Sequence, residues 1–285
     1  MILALSGASG FIGQALIKKI REKGWNVRII NRDSFSMPDD AFLKEKIEGT
    51  DAVINLAGAS VSMKWTPAYK QELIDSRVNT TRKIVSAINQ ARQKPAVFLC
   101  ASAIGIYDSL HNHTEASTDY SDSFLAHVCK LWELEALKAE TSARLIIFRL
   151  GVVLGSSGGA LAKMYKPFNI GLGAKLGNGD QPVSFIHLDD LTEALFYSLE
   201  NIAVSGIVNA VSPNSSNNYE FSDKLGKVLG QPVWFTIPAF ALKMIYGEGA
   251  QVLLEGQRVL PDKLLNAGFR FKHPTIQNAL MQIYG

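Results

Sequence analysis

The sequence predicts an α/β protein, a doubly wound parallel sheet joined to a smaller, mostly helical C-terminal lobe. Three observations carry that reading. The chain opens with an apolar run, a glycine-rich turn and an amphipathic stretch; strand-like and helical segments then alternate through its first half; and after "GIVNAVSP" it turns mostly helical. Such alternation joins parallel strands through crossover helices, and a sheet wound this way takes ligands beyond the carboxyl ends of its strands.

"ILALS" is short and apolar, suited to a buried strand, and "FIGQALIKKIREKG" repeats apolar residues at helical spacing until Gly24 stops it. Across the intervening turn, glycines stand at positions 7, 10 and 13. Between a strand and a helix, one such glycine permits the tight turn, one lets the backbone approach a pyrophosphate, and one lets helix pack on strand. The N–H groups and dipole at the helix start then hold phosphate. Gly7, Ser9, Gly10, Phe11, Ile12 and Gly13 are therefore candidate cofactor-binding residues. A glycine turn without a ligand is the plainer alternative.

The second strand, "WNVRIINR", ends where a dinucleotide's adenosine ribose lies. An acidic residue there accepts from a 2′-hydroxyl, whereas an arginine pairs with a 2′-phosphate. Arg32 holds the position, with Asp33 beside it, so NADP(H) is the expected cofactor; the alternative for Arg32 is a solvated strand-end charge. From Arg32 to Asp51 the chain is short for a full strand and helix, so that unit is expected to be trimmed. "GTDAVINLAGASV" and "PAVFLCASAIGIY" add strands, preceded by "FLKEKIE" and the long helical "PAYKQELIDSRVNTTRKIVSAINQARQ".

Composition narrows the classes. At 47% apolar and 19% charged, with no run near the roughly 18 apolar residues of a span, the chain reads as globular and not membrane-inserted. A net charge of +3 without a block of like charges proposes no nucleic-acid surface. Cys100 and Cys129 fall in a predicted strand and a predicted helix, and no leader precedes the first strand, as expected of a cytoplasmic protein with reduced thiols.

In order, "GASGFIG", "NLAGAS", "SRVNTT", "SAIGIY", "FRLGVVLG" and "SFIHLDDL" resemble an extended short-chain dehydrogenase/reductase. More narrowly, "FLAHVCKLWE" and the tail "EGQRVLPDKLLNAGFRFKHPTIQNAL" are similar to a subgroup labelled epimerase family protein or nucleoside-diphosphate-sugar epimerase. The resemblance implies an NADP-binding Rossmann core over 1–165 and a substrate-side lobe over 166–285, with 181–212 returning to the core. It also implies cofactor contacts at Leu56, Ala57 and Gly58 and places Arg149 near the nicotinamide, although an internal ion pair explains Arg149 equally well.

That superfamily works with a serine, a tyrosine and a lysine, the last two spaced Tyr-x-x-x-Lys so that one helical turn puts both on one face and the ammonium lowers the phenol's pKa. "FLAHVCKLWELEALKAE" should carry the pair, yet Ala126 stands four before Lys130 and Leu125 four before Cys129. The serine is displaced too: Ala103 stands four before Tyr107, and Ser102 one further back. Chemistry offers substitutes in Ser102 to orient the reacting oxygen, Tyr107 as acid, Lys130 at the nicotinamide ribose and Glu133 as proton donor or acceptor. Each has a blander alternative: a tyrosine packed under its loop, a solvated lysine with helical neighbours, an exposed helix glutamate.

His187 is a candidate substrate residue, with Asp189 or Asp190 expected to cap the helix that follows. His111 and His113 read as a polar surface loop, and no metal is expected; Cys129 reads as a packed thiol. The glycines of "FRLGVVLGSSGGALAKMYKPFNIGLGAKLGNGD" read as mobile loops, and Tyr219, Phe221, Leu225 and Leu229 as a helical core stripe. No exposed apolar stretch is obvious, and a homodimer would pair through the two long helices.

Two functional classes follow. One is an NADP(H)-dependent oxidoreductase or epimerase acting on a small polar substrate, such as a nucleotide sugar, with an altered acid/base set. The other is a non-catalytic NADP(H)-binding redox sensor or regulator, including the cell-division-inhibitor role with which some relatives are labelled. The retained second lobe favours the first class, the missing tyrosine the second.

Overall fold

The computed structural model describes residues 1–35 and 41–285. Six parallel strands form the central sheet: β1 (Ile2–Ser6), β2 (Asn26–Ile30), β3 (Ala52–Asn55), β4 (Val97–Ala103), β5 (Arg144–Leu150) and β6 (Gly206–Ala210). Their order is β2-β1-β3-β4-β5-β6. The chain leaves β1 on one side to form β2 and returns on the other as β3, so the crevice where strand order reverses lies at the carboxyl ends of β1 and β3. The fold is the Rossmann type that the glycine spacing and alternation predict.

Helices α1 (Phe11–Glu22), α2 (Ala41–Ile47), α3 (Pro67–Gln90) and α4 (Phe124–Leu137) accompany the sheet, as does α6 (Leu188–Glu200), whereas the intervening α5 (Gly159–Asn169) packs into the C-terminal lobe. On one side Leu16 and Ile20 of α1 and Leu195 of α6 meet Leu3, Leu5, Ile54 and Phe148; on the other Ile84 and Ile88 of α3 and Trp132 of α4 meet Ala4, Val53, Phe98 and Ile147. Coverage of both faces is why these strands read as continuous apolar runs rather than alternating ones. The stretch between Arg32 and Asp51 holds a single 3-10 turn and α2, with no strand among the described residues, so the unit is trimmed and β2 is the sheet's edge.

The C-terminal lobe is built around α7 (Asn218–Val228), α8 (Ala239–Tyr246) and a last helix, Ile276–Tyr284. Phe221 and Leu225 join Leu161, Phe168, Phe185, Ile276 and Leu280 in its core, and Leu229 packs against them. Tyr219 departs from the expected stripe. It stays half exposed, its ring beside the Lys175 ammonium. The glycine-rich stretch has a packing reason, since a Cβ at Gly155 or Gly158 would come 2.8 or 2.7 Å from the ring of Phe11. Trp234, Phe235, Phe240, Met244 and Ile245 are exposed, correcting the expectation of no apolar surface stretch. Phe240, Met244 and Ile245 were hidden in the sequence because helical spacing gives no sign of which face lacks a neighbour. Among the described residues no helix is long and apolar enough to cross a membrane.

Candidate active site

At the end of β1 the chain turns at Gly7 with φ +77°, where a Cβ would lie 2.6 Å from the Leu56 carbonyl carbon. A side chain is thus excluded twice, by a left-handed backbone and by the strand end beside it. Gly13 is tighter still, because its Cβ would fall 2.2 Å from the Gly7 carbonyl oxygen. At Gly10 the space opens, with only the Gly7 oxygen nearby at 3.2 Å. Gly10 is also the N-cap of α1 and offers no side chain to its first turn. Bare N–H groups at a helix start, approached through glycine, fit a pyrophosphate.

A buried polar chain fixes the facing wall. The Ser6 hydroxyl donates to Asn55 Oδ1 at 2.6 Å, the Asn55 amide donates to Thr81 Oγ1 at 2.8 Å, and the Ala57 N–H donates back to Asn55 Oδ1 at 3.2 Å. Leu56, Ala57 and Gly58 therefore leave β3 along a set path beside the glycine loop. Arg32 stands exposed at the end of β2 without an ion-pair partner among the described residues. Asp33 opens the 3-10 turn behind it, where the Ser34 N–H and hydroxyl both donate to Asn31 Oδ1.

Across the crevice from Arg32, β4 ends in the second polar assembly. Parallel pairing sets Ser102 opposite Arg149 of β5, and α4 brings Glu133 between them. The Ser102 hydroxyl donates to Glu133 Oε1 at 2.6 Å; Arg149 donates through Nε to Oε1 at 2.9 Å and through Nη2 to Oε2 at 2.7 Å. Arg149 is 1% exposed. Burial works to lower its pKa, but the bond and charge of Glu133 prevail and raise it. The guanidinium also lies 4.8 Å over the Tyr107 ring and 5.3 Å over that of Tyr120. An internal ion pair is what Arg149 makes, and the same pair holds Ser102.

Tyr107 is wholly buried, its hydroxyl 3.0 Å from both the Thr114 carbonyl and Asn209 Oδ1. Burial raises its pKa. This placement matches the packed-tyrosine alternative, because the 3-10 turn Ile104–Ile106 carries the residue away from the strand end. Lys130 donates to the Ser121 carbonyl at 3.0 Å, outside the Ser102 assembly. Glu133 is 7% exposed rather than a solvated helix glutamate. Cys129 is a packed thiol whose pKa is pushed up to about 11 by burial, with Glu133 adding to it.

A family model, the NAD dependent epimerase/dehydratase family, matches residues 3–210, and another, a domain of unknown function (DUF1731), matches 237–283. The chain belongs to the NAD dependent epimerase/dehydratase family. Among its relatives, an epimerase family protein SDR39U1 homolog, chloroplastic, of Arabidopsis thaliana is 37% identical over 99% of this chain and 86% of its own. Epimerase family protein YfhF of Bacillus subtilis is 33% identical over 99% of this chain and 98% of its own. A crystal structure of human epimerase family protein SDR39U1 (isoform2) with NADPH superposes with a TM-score of 0.92 at 30% identity, covering 100% of this chain and 99% of that one.

Within this epimerase-family chain the histidines fall differently from expectation. His187 itself caps α6, its Nδ1 accepting the Asp189 N–H at 3.1 Å, in place of either aspartate. Asp190 instead accepts the backbone N–H groups of Lys272 and His273, tying the tail to α6, while Asp189 lies 3.7 Å from Lys19. His187 is 5% exposed and packs 4.1 Å from the His273 ring. Burial, with His273 adding to it, pushes its pKa down to about 4. His187, Asp189 and His273 bring ligand-type atoms within 4.8 Å of one another, although the His187 Nδ1 lone pair is already engaged in the cap. His113 is no surface residue, being fully buried and stacked on Tyr107 at 4.6 Å. His111 is exposed and pairs with Asp108 at 2.8 Å.

One residue beside the crevice escaped the sequence reading. Arg77 of α3 lays its guanidinium against Gly58, and the only trace in the sequence is a basic residue inside "SRVNTT".

Proposed function

We propose that the protein binds NADPH along the crevice between β1 and β3 and uses it as an oxidoreductase or epimerase on a small polar substrate, such as a nucleotide sugar. The observation that carries this reading is the glycine cradle: Gly7 and Gly13 admit no side chain, and Gly10 opens on the uncapped start of α1. Support comes from the NADPH-bound relative of the same fold. Gly7, Ser9, Gly10, Phe11, Ile12 and Gly13 would hold the pyrophosphate, Leu56, Ala57 and Gly58 would flank it, and Arg32 would pair with the 2′-phosphate.

Bound there, the nicotinamide supplies or accepts the hydride. The chain supplies the proton path. Ser102 already directs its hydrogen to Glu133, which leaves its lone pairs to accept a substrate hydroxyl. In the oxidation of an alcohol its proton would pass to Ser102 while the proton of Ser102 passes to Glu133; in a reduction the same transfers would run backward. Arg149 is a positioning residue in this scheme, fixing the carboxylate. The sensor reading retains one favouring observation, the burial of Tyr107 in a chain without Tyr-x-x-x-Lys. A homodimer contact would use α3 and α4, where Leu134 and Leu137 are exposed.

Nicotinamide absorbance followed over a panel of small carbonyl compounds and nucleotide sugars tests the enzyme reading. Ser102→Ala should keep NADPH affinity within about twofold and lower turnover by about a hundredfold, the usual weight of one positioned proton-transfer group. Full turnover in that variant would remove Ser102 from the proton path, and tight NADPH binding without turnover on any compound would favour the sensor.

A further inference from the structure

Arg77 differs from the buried Arg149, which has Glu133: among the described residues no carboxylate stands within ion-pair distance of Arg77. Arg28 and Arg144 are also partly buried without a carboxylate, and Arg144 spends its guanidinium on four backbone carbonyls. The fixed contacts of Arg77 are neutral: Nη1 donates to the Leu73 carbonyl at 3.1 Å, Nη2 donates to the Ala59 carbonyl at 2.8 Å, and the guanidinium carbon lies 5.4 Å over the Trp132 ring. Two of five N–H donors are thereby satisfied. The third side is defined by Gly58, where a Cβ would come 3.1 Å from the guanidinium carbon, so glycine is what lets the cation reach the end of β3.

A desolvated guanidinium without a counter-ion is costly, and burial lowers the pKa of Arg77. Its neighbour Cys129 brings no compensating charge, since burial keeps that thiol protonated. Cys129 also neighbours Ser102 and Glu133. The cation lies over the ring of Trp132, the residue before Glu133 on α4, and Glu133 holds the hydroxyl that would handle the proton. Arg77 adjoins Gly58 at the end of β3, whereas the glycine loop follows β1 and supplies its own N–H groups for a pyrophosphate.

Resting on the reading of the crevice as an NADPH site, we propose that Arg77 binds an oxyanion of the substrate, so that the substrate is a small alcohol or carbonyl compound bearing a carboxylate or a phosphate close to its reacting carbon. A planar guanidinium with unused donors along its edge suits either group. Ser102 would engage the reacting oxygen and Arg77 the anion, fixing the substrate at two points.

The test uses the full-length protein saturated with NADPH. Nicotinamide fluorescence is followed while acetate, inorganic phosphate or neutral acetamide is added, with chloride holding ionic strength constant. Acetate or phosphate should give a saturable change and acetamide none, the tighter of the two ions naming the substrate's group. Arg77→Gln should raise the half-saturating concentration by about tenfold or more while NADPH affinity stays within about twofold, and Arg77→Lys should fall between, as expected for loss of a charge-assisted hydrogen bond. Should the glutamine variant fail to fold, the lysine variant and the acetate-against-acetamide contrast in the unaltered protein decide alone. An unchanged response in the variants, or none in NADPH-loaded protein, overturns the assignment to Arg77. Failure of the unaltered protein to bind NADPH overturns the cofactor reading itself, and the proposal with it.

Discussion

Gly10→Asp should abolish NADPH binding while the protein stays folded. The geometry separates the two effects. A Cβ at position 10 meets only the Gly7 oxygen, at 3.2 Å, whereas at Gly13 it would meet that oxygen at 2.2 Å and the Ala8 Cα at 2.8 Å. Position 10 can therefore take a side chain with a small local shift, and an aspartate at the start of α1 is even favourable to the helix, as an N-cap and against its dipole. That same carboxylate occupies the place of the pyrophosphate and repels it. Loss of two or more charge-assisted bonds together with like-charge repulsion corresponds to an affinity loss of about a hundredfold or greater. Titration with NADPH and thermal melting in parallel check both halves. Retained affinity would remove the glycine loop from cofactor binding.

Glu133→Ala should cost about 3–5 kcal/mol, because it leaves Arg149 buried with its charge uncompensated. Three contacts end together: two from the Arg149 guanidinium and one from the Ser102 hydroxyl. Arg149 is 1% exposed and already has Nη1 without a partner, so neither water nor another side chain replaces the carboxylate without a rearrangement of the strand ends. Denaturant unfolding measures the loss. Glu133→Gln keeps an acceptor for Ser102 but not the charge, and should fall between the alanine variant and the unaltered protein. A cost under about 1 kcal/mol for the alanine variant, the range of an exposed ion pair, would contradict the account of this assembly.

The architecture was legible because it rests on local pattern. Glycine spacing between a strand and a helix specifies a cradle whose steric reason is local, and the crossovers follow from alternation. Even the trimmed unit after Arg32 could be read from chain length. Contacts between distant residues were not legible. Ser102 and Glu133 are named from their chemistry and Arg149 from the family resemblance, but their meeting depends on the register of β4 on β5 and on the rotation of α4, which neither composition nor spacing fixes. His113 looked like a surface group of a polar loop, and tertiary packing buried it against the ring of Tyr107. The cap of α6 was misassigned for a related reason: aspartates are the usual choice, yet Asp190 is taken by the tail, some 80 residues later in the chain, leaving His187 to accept the N–H. Arg77 was missed because a helix arginine is ordinarily solvated, and Gly58, Ala59 and Trp132, distant in the chain, make it otherwise.

The central claim is that the crevice between β1 and β3 holds NADPH, with Arg32 at the 2′-phosphate. Titration of the purified protein with NADPH and with NADH, followed by nicotinamide fluorescence, tests it most directly. The account predicts saturable binding of both with NADPH tighter by about tenfold or more, the weight of one arginine–phosphate contact. Binding of neither would mean that the glycine cradle has kept its shape without its ligand, and equal affinity for the two would remove Arg32 from the 2′-phosphate.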